Sequence, residues 1–263
     1  AAGGRLRLVV SGGASLDRQV AKVMFVVGFN VVEGYGMTEA SPVIACNPIE
    51  GIRIGTVGTP LPGVEVRIGP SEEILVRGPN VMRGYYNRPE ETAEALDADG
   101  WLHTGDQGAL DEDGYLSITG RLKDLIVTSY GKNISPRPIE ERIAKSAYIA
   151  QVMVYGDNRK HLVALVVPDE EAVVRYARDG VIPFTDYREL VLRDEIHDLI
   201  AGEIDRANRD APSFEQVRGF DVLPERFTLE NGMLTPTLKP RRGRISMIHE
   251  KVIEGIYAGL EKP

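Results

Sequence analysis

The sequence lacks most features of a secreted, zinc-binding or membrane-spanning protein. It has one cysteine, Cys46, so an intrachain disulfide is impossible and a disulfide scaffold is excluded. None of its four histidines lies beside Cys46, and no zinc-ligand spacing is present. No apolar run approaches the roughly 18 residues that a spanning helix needs. The first residues, AAGGRLRLVV, lack the apolar core of a signal peptide. We therefore expect a cytoplasmic protein.

The charge of the chain argues against nucleic acid as a partner. Its formal net charge is −8, with 43% hydrophobic and 27% charged residues, which is typical of a globular protein with a core. The basic run Lys239–Arg244 is the local exception, but it has no interleaved aromatic residues. Its arginines could contact a phosphate-rich ligand, or the run could be a solvated loop.

The first third of the chain predicts a piece of an α/β layer. A strand over Leu6–Val10, the glycine-rich turn Ser11–Ser15, a helix from about Leu16 to Met24 and a second strand over Phe29–Val32 follow one another. A sheet with so few strands could not cover its own apolar faces, and we therefore expect further sequence to precede Ala1.

Residues 51–120 predict a small β-rich subdomain. Short apolar runs broken by Gly, Pro and Asp indicate strands at Val64–Ile68 and Glu73–Arg77, a hairpin around Asp113-Gly114 and a short helix over Thr92–Leu96.

The remaining sequence predicts a small α+β domain. A helix containing Ile139, Ile143 and Ala147 precedes strands at Gln151–Tyr155 and Leu162–Val167, and three more helices follow: one capped by Asp169 and running through Tyr176, one over Tyr187–Ala207 and one over Ser246–Leu260. We predict domains at residues 1–122 and 123–263, and a fold class of α/β followed by α+β.

Two glycine-containing loops are candidates for nucleotide binding. The turn around Gly12, Gly13 and Ala14 follows a strand, where exposed backbone N–H groups can receive an anion or admit a planar ring; a plain turn is the alternative. The segment GYGMTE offers the aromatic face of Tyr35, a hydroxyl and a carboxylate between glycines. These groups could stack a purine, bond a phosphate and ligate Mg²⁺. The alternative is a packed tyrosine and a helix-capping Thr38.

A carboxylate and a charged segment come next. Asp106, in Thr104-Gly105-Asp106, has two acceptor oxygens that suit the adjacent hydroxyls of a ribose, although Gly-Asp is more commonly a tight turn. Arg121 could donate to a nucleotide and Lys123 could be a pivot between domains. The alternative for both is a solvated hairpin edge.

Five motifs in order, SGGAS, GYGMTE, GWLHTGD, GRLKDLIVTSYGKNISP and LTPTLKPRRGR, resemble the AMP-forming, adenylate-forming enzyme superfamily. Within it the chain looks most like the long-chain fatty acid–CoA ligases. The resemblance implies a large N-terminal domain, a mobile C-terminal domain and a two-step reaction. Carboxylate and Mg·ATP give an acyl-adenylate and pyrophosphate, and CoA thiolate then displaces AMP.

The resemblance also implies roles for individual residues. The backbone of Gly12, Gly13 and Ala14 and the Tyr35 ring would sandwich adenine, with Gly36 in the same nucleotide site. The remaining roles are assigned as follows: Thr38 to the α-phosphate, Glu39 near Mg²⁺, Asp106 to the ribose diol with Arg121 beside it, Lys123 to the hinge, and Gly131 to the border of the pantetheine path.

The catalytic lysine of the family follows a glycine in its last motif, and the resemblance assigns that role to Lys239. Arg244, in Gly243-Arg244-Ile245, is the alternative register. Two departures stand out. Tyr130 precedes Gly131 where the family commonly has a second glycine, so its ring could narrow the pantetheine path or face solvent. The phosphate loop ending in lysine is absent and would lie upstream of Ala1.

We therefore predict the C-terminal part of a long-chain-fatty-acid–CoA ligase that uses ATP/AMP, Mg²⁺ and CoA and is inactive in adenylation by itself. Its expected partners are fatty acid, ATP and CoA, with peripheral membrane association of the parent enzyme through its acyl substrate and no obligate protein partner. Two rivals remain open: an adenylation domain that loads a carrier protein, and a non-catalytic nucleotide-binding or interaction module.

Overall fold

A computed structural model describes residues 4–14 and 16–261 of the chain. Ser15, at the end of the predicted glycine-rich turn, lies outside the described residues. The chain divides into two compact units, Ala1–Lys123 and Asp124–Pro263. Both units combine helices with strands, which confirms the predicted mixed α/β and α+β class. No helix in the described part of the chain is long and apolar enough to cross a membrane.

The first sheet of unit 1 contains the predicted strand–helix–strand. Its elements are β1 (Val9–Ser11), α1 (Arg18–Val26), β2 (Val31–Gly36), β3 (Val43–Cys46) and β4 (Thr59–Pro60). The strand order is β1-β2-β3-β4, with β1 and β2 parallel and the later pairs antiparallel.

The predicted starts of the first two strands were wrong. β1 begins at Val9 and β2 at Val31, rather than at Leu6 and Phe29, because the register first pairs Val9 with Val31. Leu6, which precedes this pairing, is 52% exposed.

Helix α1 is capped at its N-terminus and exposes several apolar residues. The Asp17 carboxylate accepts hydrogen bonds from the backbone N–H groups of Gln19 and Val20, at 2.8 and 3.0 Å. Ala21 is buried, whereas several apolar residues of the helix are exposed: Val20, Val23, Phe25 and Val26. The helix therefore leaves an uncovered apolar face within the described part of unit 1.

The second sheet of unit 1 is an antiparallel meander. It contains β5 (Glu65–Ile68), β6 (Glu73–Arg77), β7 (Leu102–Leu110) and β8 (Leu116–Arg121), and α2 (Pro89–Ala95) lies between β6 and β7 in sequence. This confirms the β-rich subdomain, the strand at Glu73–Arg77 and the hairpin, whose turn contains Gly114 at φ +80°. Helix α2 begins three residues earlier than predicted, with Pro89 in its first turn.

Unit 2 is built on a three-stranded sheet with helices on both faces. Its elements in order are β9 (Ile126–Val127), β10 (Asn133–Ile134), α3 (Pro136–Ile143), β11 (Ile149–Tyr155), β12 (Leu162–Pro168), α4 (Glu170–Asp179), α5 (Tyr187–Val191), α6 (Asp194–Asn208), β13 (Val217–Val222), α7 (Arg242–Ile248) and α8 (Glu250–Leu260). The sheet order is β11-β12-β13, antiparallel then parallel.

The central strand β12 contributes side chains to two hydrophobic cores, one on each face of the sheet. All seven of its residues are buried. Because successive side chains point to opposite faces, alternate residues enter different clusters. Leu162, Ala164 and Val166 pack with helices α3 to α6, while Val163, Leu165 and Val167 pack with α7 and α8. The apolar run is therefore a doubly covered strand.

Two of the predicted long helices are interrupted, and a third helix is shorter than predicted. The predicted helix Tyr187–Ala207 is α5 and α6, separated at Leu192 and Arg193, where Arg193 has extended dihedral angles. Leu190 and Ile196 are both fully buried. Six residues at about 100° each would direct them to different sides of one straight helix, so the break lets both enter the same core.

The predicted helix Ser246–Leu260 is interrupted at His249, whose φ and ψ are −103° and 20°. The backbone N–H of His249 still donates to Ile245 O at 3.0 Å, so the chain kinks rather than unwinds. Helix α3 ends at Ile143, and the exposed Ala147 is not part of it. The cap of α4 by Asp169 is confirmed by the bond from Ala172 N to its carboxylate, 3.0 Å long.

His249 predicts a pH-dependent stability. Burial lowers its pKa from the ordinary value of 6.5, and nearby Glu225 opposes this shift. The unfolded chain therefore binds the proton more readily than the folded chain does, and stability is lost as the pH falls below about 6.5. We expect His249→Gln to lose less stability between pH 7.5 and 5.5 than the wild type, measured by urea unfolding. The control is His161→Gln at an exposed histidine; equal pH slopes for His249→Gln and wild type would contradict the assignment.

A largely buried ion pair predicts a second stability effect. Glu140 Oε1 accepts from Arg242 Nη1 at 2.6 Å and from the backbone N–H of Val154 at 2.8 Å, while Arg242 Nη2 bonds Val154 O. We expect Glu140→Ala to lower the free energy of unfolding by about 2–3 kcal/mol, because it leaves a guanidinium buried without its carboxylate. Glu225→Ala, at an exposed pair with Arg188, should cost less than about 1 kcal/mol. Similar losses in the two variants would count against this account.

Candidate functional site

Asp106 lies in a bulge of β7, so the tight-turn alternative for it is wrong. Glu73 of β6 pairs with Gln107, and Leu75 pairs with His103. Three residues of β7 therefore face one residue of β6. Bulges re-aim side chains, and they are common beside functional sites. Only 5% of Asp106 is exposed.

Two side chains donate to the buried Asp106 carboxylate. The Tyr35 hydroxyl donates to Oδ2 at 2.6 Å, and Arg121 Nε donates to Oδ1 at 2.7 Å. Arg121 is the cross-strand neighbour of Asp106 and is itself half exposed. Each carboxylate oxygen has a second lone pair, so this arrangement leaves acceptor capacity for a ligand.

Tyr35 is held as a neutral donor. Burial, followed by the charge of Asp106 and the hydrogen bond to it, raises the pKa of the Tyr35 hydroxyl far above its usual value. The phenol therefore stays protonated at any physiological pH. The structure brings together three residues that the sequence separates by many positions: Tyr35 on β2, Asp106 on β7 and Arg121 on β8.

The glycine-rich turn lies beside the second motif. Strands β1 and β2 are parallel neighbours, with Ser11 opposite Glu33. A Cβ added to Gly12 would lie 3.5 Å from Gly34 O, and Gly13 has φ +80°. Gly12, Gly13 and Ala14 are all exposed. The backbone of this turn is therefore accessible beside the strand that carries Tyr35.

Gly36 has a packing reason to be glycine. A Cβ there would lie 1.8 Å from Pro42 O, since β3 approaches closely at this point. This close approach is sufficient to explain a glycine at position 36, without the expected role of making room for a ligand. Thr38 begins a short 3-10 turn, Thr38–Ala40, whose N-cap is Met37 without a side-chain cap. The helix-capping alternative for Thr38 is therefore wrong, and its side chain is exposed.

Glu39 has the chemistry of a magnesium ligand in a nucleotide site. Its Oε1 accepts from the Tyr85 hydroxyl at 2.9 Å. Within residues 4–14 and 16–261, no group of three His, Cys, Asp or Glu side chains is arranged to hold a metal ion. One carboxylate nevertheless fits Mg²⁺, which commonly takes its other ligands from substrate phosphates and water.

Lys239 lies exposed on a tight turn of unit 2. The turn is closed by the bond from Thr235 N to Lys239 O, 2.8 Å, and by the bond from Lys239 N to Thr235 Oγ1, 3.0 Å. Leu238 has φ +58°, the left-handed region that favours glycine. Leu238, directly before Lys239, has this conformation, whereas Gly243, directly before Arg244, lies inside helix α7 and has no positive φ.

The other predicted residues of the hinge region are at turns. Lys123 lies exposed in the 3-10 turn Leu122–Asp124, where unit 1 ends. Gly131 has φ +72° in the turn between β9 and β10, and a Cβ there would meet no atom within 4 Å. Tyr130 is 75% exposed. Its ring therefore faces outward from unit 2, as one of the two alternatives expected.

Sequence reasoning missed two residues that contact the site and one buried carboxylate, Glu33, on the strand that carries Tyr35. Tyr85 bonds Glu39, and Glu73 bonds the segment that carries Asp106. Glu33 is buried, and burial raises the pKa of its carboxyl group while the backbone of Leu16 and Gly55 and the charge of Arg18 oppose the shift. The sequence did offer a signal for Glu33, because a carboxylate that directly follows the apolar strand residues Val31 and Val32 indicates a buried charged group. Nothing local in the sequence marks the contacts of the other two.

Both units match known family models. The model described as "AMP-binding enzyme" matches residues 1–86, and the model described as "AMP-binding enzyme C-terminal domain" matches residues 123–261. The chain is 38% identical over 258 residues to long-chain-fatty-acid–CoA ligase FadD15 of Mycobacterium bovis, covering 98% of this chain and 43% of the relative. It is 35% identical to long-chain-fatty-acid–CoA ligase 1 of Cavia porcellus, covering 98% and 39%. The chain thus spans less than half the length of these relatives.

Solved structures with the same fold include complexes with adenylates. The A domain of carboxylic acid reductase from Segniliparus rugosus, in complex with AMP and a co-purified carboxylic acid, has a TM-score of 0.75 at 26% identity, covering 96% of this chain and 39% of that one. o-Succinylbenzoate CoA synthetase of Bacillus subtilis, with its acyl-adenylate intermediate, has a TM-score of 0.71 at 26% identity, covering 91% and 46%. The chain therefore belongs to the AMP-binding enzyme family and has part of the adenylate-forming enzyme fold.

Proposed function

We propose that this chain is the C-terminal part of an AMP-forming ligase that joins a long-chain fatty acid to CoA. The observation that carries the proposal is the buried Asp106 carboxylate between the Tyr35 hydroxyl and Arg121 Nε. Such a carboxylate can accept from the two hydroxyls of a ribose, and the exposed backbone of Gly12 and Gly13 lies beside the strand that carries Tyr35. The identity to long-chain ligases supports the acyl class.

The proposed reaction has two half-reactions. A carboxylate oxygen attacks the α-phosphorus of ATP, giving acyl-AMP and pyrophosphate. The CoA thiolate then attacks the acyl carbonyl carbon and AMP leaves with the acyl–oxygen bond pair. Thr38 would donate to an α-phosphate oxygen, and Glu39 would hold Mg²⁺, which supplies charge neutralisation to the phosphates when bound. Lys239 would offset negative charge on the reacting oxygens, and Lys123 would be the hinge.

The expected partners are small molecules. Fatty acid, ATP and CoA are the proposed substrates, and Gly131 would border the path of the CoA pantetheine. A cytoplasmic location fits the single cysteine. Peripheral membrane association of the parent enzyme would come through its acyl substrate, since the net charge of −8 does not favour an anionic membrane surface.

A carrier-protein-loading enzyme is the second candidate. The A-PCP didomain of the Segniliparus rugosus reductase has a TM-score of 0.76 to this chain at 26% identity, covering 98% of this chain and 35% of that one. The two candidates differ in the acceptor thiol. Acyl transfer to free CoA by the complete gene product supports the first candidate, and transfer only to a carrier-protein phosphopantetheine supports the second.

Ribose recognition by Asp106 can be tested on the 263-residue chain. We expect Asp106→Asn to weaken binding of a non-hydrolysable acyl-AMP mimic by about 10- to 100-fold, because the amide keeps one acceptor oxygen and loses one charge-assisted hydrogen bond to the diol, worth roughly 1.5–3 kcal/mol. Isothermal titration calorimetry measures the change. The matched control is Asp113→Asn, at an exposed hairpin carboxylate paired with Arg53. Equal affinities for wild type and Asp106→Asn would sink the ribose assignment.

The role of Lys239 can be tested in the complete gene product. We expect Lys239→Ala to slow acyl-adenylate formation by about 10²–10³-fold, the usual effect of removing one electrostatic stabiliser of a transition state. Thioester formation from supplied acyl-adenylate should be nearly unchanged. Rapid-quench assays of each half-reaction measure the two rates. Arg244→Ala is the control for the other register, and a larger loss of adenylation in that variant would move the assignment to Arg244.

A further inference from the structure

One carboxylate of the neighbouring strand β6, that of Glu73, holds the bulge that carries Asp106. Where β7 contains Thr104, Gly105 and Asp106, β6 offers only Ile74 between paired residues. Gly105 has φ +68°. A bulge interrupts the ladder, so its backbone N–H groups need other partners.

Two side-chain oxygens satisfy these N–H groups. Glu73 Oε1 accepts from Gly105 N at 3.0 Å, and Thr104 Oγ1 accepts from Asp106 N at 3.1 Å. The Thr104 hydroxyl in turn donates to Ile74 O at 2.7 Å. The backbone on both sides of the Gly105–Asp106 peptide is therefore tied to β6.

The second oxygen of Glu73 holds the start of the bulge. Glu73 Oε2 lies 2.9 Å from His103 Nδ1, and His103 Nε2 lies 4.0 Å from Asp97 Oδ2. The Glu73 side chain is 13% exposed, so its bonds are partly shielded from water. One carboxylate thus bonds both His103 and Gly105, the residues on either side of Thr104.

We propose that Glu73, supported by His103, is a positioning residue for the Asp106 carboxylate. Neither side chain contacts Asp106 itself in the hydrogen bonds described, so the effect passes through the backbone of the bulge. Without Glu73 the Gly105 N–H loses its acceptor, the bulge can shift register, and the Asp106 oxygens leave the position set by Tyr35 and Arg121. This inference rests on the proposed nucleotide function.

The test compares AMP with 2′,3′-dideoxy-AMP as ligands of the 263-residue chain, with affinities from NMR titration. In the wild type we expect the loss of both hydroxyls to weaken binding by about tenfold or more. Glu73→Ala should bring this ratio close to one by weakening AMP binding, while the affinity for the dideoxy compound stays unchanged. A general loss of structure would weaken both ligands together.

Conservative and control variants make the result decisive. Glu73→Gln keeps an acceptor oxygen for Gly105 N and should retain most of the discrimination. His103→Ala removes one of the two Glu73 contacts and should give an intermediate ratio; it also carries the test if Glu73→Ala fails to fold. Glu65→Gln, at an exposed carboxylate of β5 paired with Arg77, is the matched control and should behave as wild type.

The outcomes separate the inference from the function on which it rests. If the wild type does not distinguish the two ligands, the ribose assignment fails, and the inference fails with it. If the wild type discriminates and Glu73→Ala and His103→Ala discriminate equally well, the positioning role is overturned while the ribose site stands. A parallel fall in both affinities would also overturn it, since that is the result of a purely structural role.

Discussion

The pairing of the Tyr35 hydroxyl and Arg121 Nε with one buried carboxylate is the interaction on which unit 1 depends. Only 5% of Asp106 is exposed, and a buried carboxylate is costly unless its oxygens are hydrogen-bonded. Tyr35 comes from the first sheet, and Asp106 and Arg121 come from the second. The Tyr35–Asp106 bond therefore joins the two sheets of unit 1 at the point where the proposed ribose site lies, while the Arg121–Asp106 bond lies within the second sheet. Stability and the proposed ribose recognition draw on the same three side chains.

The sequence predicted those elements whose signals are local. The strand Glu73–Arg77, the Asp113-Gly114 hairpin and the Asp169 cap were all correct, because each depends on residues within one element or turn. The long helices were wrong for the opposite reason. Leu190 and Ile196 are six residues apart, a spacing that would place them on different sides of one helix. The helix is interrupted between them because both side chains pack into a core that includes strands distant in sequence.

The candidate site divides in the same way. The motifs contain Tyr35, Asp106 and Arg121, and the family resemblance implies a role for each. No local sequence pattern predicts that Tyr35 donates to Asp106. The contact spans 71 positions and exists because β2 and β7 belong to adjoining sheets. Glu73 and Tyr85 were missed because their contribution is the placement of another residue. Such a contribution has no sequence signal of its own, since an exposed strand or loop could use the same residue types.

The turn that carries Lys239 holds a non-glycine residue in a backbone conformation that favours glycine. The family commonly has glycine before its lysine, and this chain has Leu238. The leucine nevertheless adopts φ +58°, a conformation that costs a non-glycine residue about 1–3 kcal/mol. The Thr235 hydroxyl and backbone provide the bonds that hold it, by accepting from Lys239 N and Leu238 N and donating to Lys239 O. The turn is therefore kept by bonds around the residue rather than by the freedom of glycine, and the Thr-Pro-Thr segment before Leu238 becomes part of the lysine's support. Lys239 is therefore fixed at its backbone while its side chain is exposed, an arrangement compatible with the proposed role of reaching a developing charge.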